Sequence, residues 1–358
     1  MITRTDGDIH MKNTEAILVT PGTMQIQDAP VPVPKEDEVL VRVEYVGICG
    51  SDIHGFEKGP FIPSGNPGQK IGLGHECAGT VVDVGSKVKK LKAGDRVNIE
   101  PGVPCGKCRF CLTGRYNLCP EVDFLATWPN YRGALTNYMT HPEALTYKLP
   151  DNMNTMEGAL VEPAAVGMHA AMEADVKPGK KIVILGAGCI GLMTLQACRV
   201  MGAAEIVVSD VIDKRLNMAK RLGAMEVIDG RKEDTVARAG EILGGLGADI
   251  VFETAGSPVT AGQTTNLVMR GGRIMIVGTV PGDTPINFLS INREVKIQTV
   301  FRYANNYPMT MEAISSGRFD VKSMVTDIYN YREVQRAFEE SLSRKADIIK
   351  GVIKMEDL

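Results

Sequence analysis

The stretch KKIVILGAGCIGLMTLQACRVMG, Lys180 to Gly202, constrains the fold more than any other part of the chain. An apolar run of strand length ends on a glycine turn, and a helical pattern then runs from Cys189 to Gly202. A strand, a tight turn and a helix form half of a βαβ unit, the connection that parallel strands require. The pattern repeats. EIVVSD, DIVFETAG and RIMIVGT read as further buried strands, and DKRLNMAKRLG reads as a helix closed by Gly223. Residues 164–302 therefore predict a doubly wound parallel sheet with right-handed crossovers.

The glycine turn has the G-x-G-x-x-G spacing, with Gly186, Gly188 and Gly191 around Ile190. Following a strand and opening a helix, this is the context in which the motif holds a dinucleotide. Gly186 permits the turn, Gly188 lets the backbone approach a pyrophosphate, and Gly191 lets helix and strand pack closely. Unpaired N–H groups at the helix start face the phosphates. Asp210 ends the next strand, nineteen residues beyond Gly191. A carboxylate there accepts from a ribose 2′-hydroxyl and repels a 2′-phosphate, which favours NAD over NADP, although Arg215 lies nearby. A nicotinamide cofactor implies hydride transfer.

Residues 1–163 read differently, as short strands and turns of an antiparallel β domain. EVLVRVEYV alternates, with Val39, Val41, Val43 and Tyr45 on one face. GTVVDVGSKV and GDRVNIEPG are two more short runs, and APVPVPKEDE is an extended surface segment. The tail, 303–358, holds two helical stretches and the strand DIIKGVIKM, too little to fold alone. No secretory signal opens the chain, and the apolar run from Ile182 is broken by glycines, so neither export nor a membrane span is expected. A net charge of -3 argues against a nucleic-acid partner.

A cytoplasmic chain keeps its thiols reduced, so clustered cysteines there signal metal before disulfides. Cys105, Cys108, Cys111 and Cys119 occupy fifteen positions. Four thiolates close a tetrahedron, which is the pattern of a structural zinc. GICGSDIHG and LGHECAG supply a second set, Cys49, His75 and Glu76. Three protein ligands and an open position suit a catalytic zinc, but from spacing alone Cys49 reads equally well as a core thiol.

GHECAGTVVDVG resembles the G-H-E-x-x-G-x-x-x-x-x-G signature of the zinc-dependent medium-chain dehydrogenases/reductases. GICGSDIH resembles that family's first catalytic loop, and the four-cysteine run its structural zinc lobe. The likeness follows the family's order over essentially the whole chain. It is strongest to the sorbitol and xylitol (polyol) dehydrogenases, through VEPAAVGMHA, CRFCLTGRYNLCP and VFRYANNYP. The implied fold is α/β plus β: a GroES-like antiparallel β catalytic domain with an inserted Rossmann doubly wound parallel sheet domain, the tail completing the catalytic part.

By the same resemblance, Cys49, His75 and Glu76 hold the catalytic zinc. Glu162 is either a further ligand or a carboxylate that holds a water there. Ser51 and His54 form a proton relay, although His54 taken alone reads as a surface-loop histidine. Val277, Gly278, Val300 and Phe301 contact the nicotinamide half of NAD. Arg302 and Tyr303 face the substrate, with Arg302 on a cofactor phosphate or a core carboxylate as the other reading. The implied reaction oxidises a secondary hydroxyl of a polyol to a ketose. The alternatives are another secondary alcohol, such as 2,3-butanediol or L-threonine, and a non-catalytic NAD- and zinc-binding protein. A homo-oligomer, tetramer or dimer, is implied as well. One position departs from the polyol pattern: Gly55 stands where a tyrosine often follows the loop histidine, so a pocket wall is expected to be missing. His10, His141, His169, Cys77, Cys189 and Cys198 read as core or bystander residues.

Overall fold

The alternating valines of residues 38–47 pair on both sides, and the first sheet is built outward from them. The strand Glu38–Gly47 runs antiparallel to Glu76–Val84, Tyr138–Pro142 and Lys350–Lys354. This computed structural model describes residues 12–63, 66 and 68–356, so His10 lies outside the described residues. The chain forms two units, Met1–Glu162 with Val325–Leu358, and Pro163–Met324.

In the first unit the seven-stranded sheet is antiparallel except at one edge, where Val325–Asn330 pairs parallel to Lys350–Lys354. The helix Val334–Ser343 makes that crossover. The expected alternation holds through Val43 and then slips. Val43 pairs with Gly79 but Tyr45 pairs with Ala78, so the strand carries one extra residue there. The bulge turns Tyr45 half outward and puts Val46 into the core with Val39, Val41 and Val43. Phe338 packs on Phe56 of the helix Gly50–Lys58, with ring centroids 5.3 Å apart.

The second unit is a six-stranded parallel sheet. Across it lie Glu226–Asp229, Glu205–Asp210, Lys181–Leu185, Ala248–Glu253, Val268–Ile276 and Lys296–Thr299. In chain order these are strands three, two, one, four, five and six, the doubly wound order. Val183, Leu185, Val207, Ile228 and Val251 form part of its core. The second boundary falls at 324/325 and not at 302/303 as the sequence was read. Asn306 Nδ2 donates to the Ala165 carbonyl at 2.8 Å. Gln196 donates to the Asp320 carbonyl and accepts from its N–H, at 3.1 and 2.6 Å. These bonds hold residues 303–324 on the parallel-sheet unit. Among the described residues no helix is long and apolar enough to cross a membrane.

His141 is buried, with Nε2 2.9 Å from the Glu100 carbonyl. Cys77 and Cys198 are buried too, but Cys189, at the start of the helix Cys189–Val200, is only half-buried. Two predictions follow from this packing. Phe338→Ala leaves a cavity against Phe56 and lowers stability by about 3–5 kcal/mol; urea unfolding measures it, and a loss under about 1 kcal/mol would contradict the packing. Burial pushes the His141 imidazole down to about 4, from 6.5. Below 6.5 the unfolded chain takes up a proton that the folded one refuses, so stability falls as pH drops towards 4. Denaturation midpoints between pH 7 and 4 should fall less steeply for His141→Gln than for the parent chain.

Candidate metal centres and dinucleotide site

The pairing of Gly47 with Glu76 brings two loop ends together in the first unit. Cys49 lies two residues past Gly47, and His75 lies one residue before Glu76. The ligand atoms of Cys49, His75 and Glu76 come within 4.8 Å of one another. A residue missed in the sequence reading, Asp52, holds this corner. Its buried carboxylate accepts from the N–H of Cys49 at 3.1 Å and of Gly74 at 2.9 Å. Its Oδ1 lies 3.6 Å from His75 Nδ1, too far for a hydrogen bond. Burial works against charge on both groups. Their mutual attraction outweighs it, holding Asp52 below and His75 well above their usual ranges.

A second missed residue is Lys350, whose ammonium is 2% exposed. It lies 2.6 Å from Oε1 and 2.5 Å from Oε2 of Glu76 and donates to the Ile48 carbonyl at 3.0 Å. No local pattern flags it, since 274 residues separate it from Glu76. Asp52, by contrast, stands three residues after Cys49 in the first turn of the helix Gly50–Lys58, where a carboxylate that reaches back to the helix start is a local signal.

Glu162 is buried but is not among the three converging ligands. The Cys77 thiol is pushed up to about 12, chiefly by burial, with the charges of Glu162 and Glu76 adding to it. Ser51 and His54 stand one turn apart on the helix Gly50–Lys58, and the His54 ring lies flat on Phe61 at 3.8 Å. A Cβ on buried Gly55 would come within 3.3 Å of Leu73, so Leu73 fills the space beside the missing tyrosine.

The four-cysteine run forms its own cluster. Its sulfurs also lie within 4.8 Å of one another. Cys108 to Cys111 is 3.4 Å and Cys105 to Cys111 is 4.0 Å. All eight cysteines are free thiols, which removes the disulfide reading. Sulfurs about 2.3 Å from a tetrahedral zinc stand about 3.8 Å apart, so this spacing fits the ion. The backbone N–H of Cys111 and neighbouring thiols bring Cys108 down to about 7. Burial and then Cys108 push Cys111 up to about 12. Four such thiols ionise together only around a cation.

In the second unit Gly186 adopts φ 99°, open to glycine far more than to other residues. A Cβ on Gly191 would lie 1.9 Å from the Gly186 carbonyl oxygen, so helix and turn touch there. A Cβ on Gly188 would meet only the Arg215 guanidinium, at 4.0 Å, which leaves that surface open to a ligand. The helix Cys189–Val200 begins next to it, with Ile190 and Gly191 in its first turn. Asp210 accepts from the N–H groups of Ala187, Val211 and Ile212 at 2.6, 2.7 and 2.9 Å, which fixes its carboxylate beside the glycine turn. Val277 and Gly278 both donate to the Glu253 carbonyl, and Val300 to that of Ile276. Phe301 is exposed under the Arg302 guanidinium, while Tyr303 is buried against Tyr307.

The chain matches two family models in order. One is the alcohol dehydrogenase GroES-like domain, over residues 35–151, and the other is zinc-binding dehydrogenase, over residues 189–316. An uncharacterized zinc-type alcohol dehydrogenase-like protein of Escherichia coli (strain K12) is 75% identical, over 97% of this chain and 100% of that one. The sorbitol dehydrogenase of Bacillus subtilis (strain 168) is 40% identical, over 94% and 96%. A zinc-binding dehydrogenase of Sinorhizobium meliloti 1021, solved bound to NADP, superposes with a TM-score of 0.89 at 28% identity, over 96% and 100%. The order of the two domains, the two ligand clusters and identity along nearly the full length make this chain an enzyme of the zinc-binding medium-chain alcohol dehydrogenase family, close to the polyol dehydrogenases.

Proposed function

We propose that the enzyme oxidises a secondary hydroxyl of a polyol to a ketose, with NAD as hydride acceptor. The observation that carries this reading is the convergence of Cys49, His75 and Glu76 within 4.8 Å in a chain 40% identical to a sorbitol dehydrogenase. Zinc, when bound there, makes a substrate hydroxyl acidic, and NAD, when bound, takes up the hydride. A thiolate, an imidazole and one carboxylate are three donors, so an ion held by them would keep a position open for substrate. Asp52 holds the Cys49 backbone and attracts the His75 imidazole through its charge, and Lys350 offsets the charge of Glu76. Ser51 and His54 carry the hydroxyl proton towards solvent; stacking on Phe61 fixes the His54 plane and leaves the ring's nitrogen edges for transfer. Glu162 accepts a hydrogen bond from substrate or water. Arg302 and Tyr303 donate to the substrate hydroxyls that do not react.

Cys105, Cys108, Cys111 and Cys119 would hold a second zinc, which would staple their loop. Gly186, Gly188, Ile190 and Gly191 cradle the pyrophosphate, with Arg215 beside it. Asp210 receives the ribose 2′-hydroxyl, and Val277, Gly278, Val300 and Phe301 line the nicotinamide end. Eight free thiols favour a reducing, cytoplasmic setting. The exposed Phe288 and Leu289, which lead towards the edge strand Lys296–Thr299, favour a homo-oligomer.

Initial rates of NADH formation with xylitol, sorbitol, galactitol, 2,3-butanediol and L-threonine test the reading, before and after chelation of metal. Fast oxidation of a polyol that stops on chelation and returns with zinc is expected. Turnover of threonine or butanediol alone would overturn the substrate assignment and keep the metal site. Asp210→Asn removes the charge facing the ribose. The KM for NAD should then rise about tenfold or more and the preference over NADP should shrink; an unchanged NAD to NADP ratio would remove Asp210 from that role.

A further inference from the structure

Glu253 ends the central strand Ala248–Glu253 and has no solvent exposure. Its Oε1 accepts from the N–H groups of Ala255 and Gly256 at 3.0 and 2.9 Å and from the Thr260 hydroxyl at 2.7 Å. The Ser257 N–H stands farther off, at 3.5 Å. Its Oε2 has no partner at all. The two peptide N–H groups can only donate, and the Thr260 hydroxyl also lies 3.0 Å from the Ser257 carbonyl, so Oε1 serves as an acceptor in the arrangement a carboxylate takes. Two other buried acids have a cation, Glu76 with Lys350 and Asp52 with His75, while both oxygens of Glu100 accept from the Tyr116 and Tyr147 hydroxyls. Glu253 has no cation among the described residues. An uncompensated buried charge costs folding free energy, so a chain that keeps one has a use for its field.

The position of the charge indicates that use. Residues 254–256 sit between the glycine turn and Gly278. Thr254 Oγ1 donates to the Gly186 carbonyl at 2.9 Å, and a Cβ on Gly186 would meet the Ala255 nitrogen at 2.8 Å. On the other side, a Cβ on Gly278 would lie 2.6 Å from Glu253 Oε2. The unpartnered oxygen is thus directly under Gly278. The nicotinamide ring is a cation when oxidised and neutral when reduced. A fixed anion in apolar surroundings acts on the first and hardly on the second.

We propose that Glu253 sets the preference of the cofactor site between oxidised and reduced dinucleotide, holding the cationic form. The proposal rests on the reading that Val277 and Gly278 face the nicotinamide end. Calorimetric titration of the zinc-loaded full chain with NAD and NADH tests it, in the parent, Glu253→Gln and Thr260→Lys. Gln keeps the shape and an acceptor but removes the charge. Lysine at half-exposed position 260 brings a cation to the carboxylate without removing it, so it carries the test if Glu253→Gln does not fold. Both variants should bind NAD about tenfold or more weakly while NADH affinity moves by less than about threefold. Equal losses for the two forms, or no loss, would overturn the proposal and leave the cofactor assignment standing. A parent chain that binds only the NADP pair moves the same comparison to that pair. A parent chain that binds no dinucleotide would overturn the cofactor assignment itself, and this proposal with it.

Discussion

The antiparallel register that sets Gly47 opposite Glu76 governs the chemistry of the first unit. The two residues are so close that a Cβ on Gly47 would fall 2.0 Å from Glu76 Oε2. Only glycine lets the carboxylate cross the neighbouring strand towards the ligand corner. The strand Lys350–Lys354 joins on the opposite edge of Glu38–Gly47, where the Ile48 N–H donates to the Gly351 carbonyl at 3.0 Å and brings Lys350 under Glu76. A slip of one residue in either pairing would turn these side chains to opposite faces. The bulge after Val43 belongs to the same constraint, because it resets the alternation between the core valines and Gly47.

The two cysteine-bearing sites differ in a way that matches their chemistry. The four-cysteine lobe is a short loop with a four-residue helix, Arg109–Leu112, and positive φ at Gly106 and Gly114. It buries little apolar surface, and its close thiols would repel one another when ionised, so a cation bound there would supply cohesion that a core does not. The Cys49, His75 and Glu76 set instead sits on strand and helix ends backed by the main core. Asp52 and Lys350 lie behind it, Asp52 accepting from the Cys49 N–H and Lys350 pairing with Glu76, so two of the three candidate ligands are held by neighbouring side chains.

The second unit depends on backbone closeness more than on side chains. Gly186, Gly191 and Gly278 each leave no room for a Cβ, and this draws three strand ends together. Glu253 is the polar group held in that closure. Asp210, tied by three backbone N–H groups, is presented in one orientation and does not swing freely.

Local sequence was sufficient wherever the governing physics is local. The glycine turn, the alternation of strands and helices and the cysteine spacing were legible because turn geometry, hydrophobic period and metal coordination act over a few residues. The Cys49, His75 and Glu76 set was legible only in part, through a family signature and not through spacing. The edge strand Lys296–Thr299, the parallel partner Val325–Asn330 and the bulge at Val43 were not legible, since strand pairing is decided by distant neighbours. The end of the parallel-sheet unit at Met324 was set by bonds from Asn306 and Gln196 to residues far along the chain. Lys350 and Glu253 look like ordinary surface charges in the sequence. Only the tertiary structure takes them out of water, and burial is what turns an ordinary charge into a strong one.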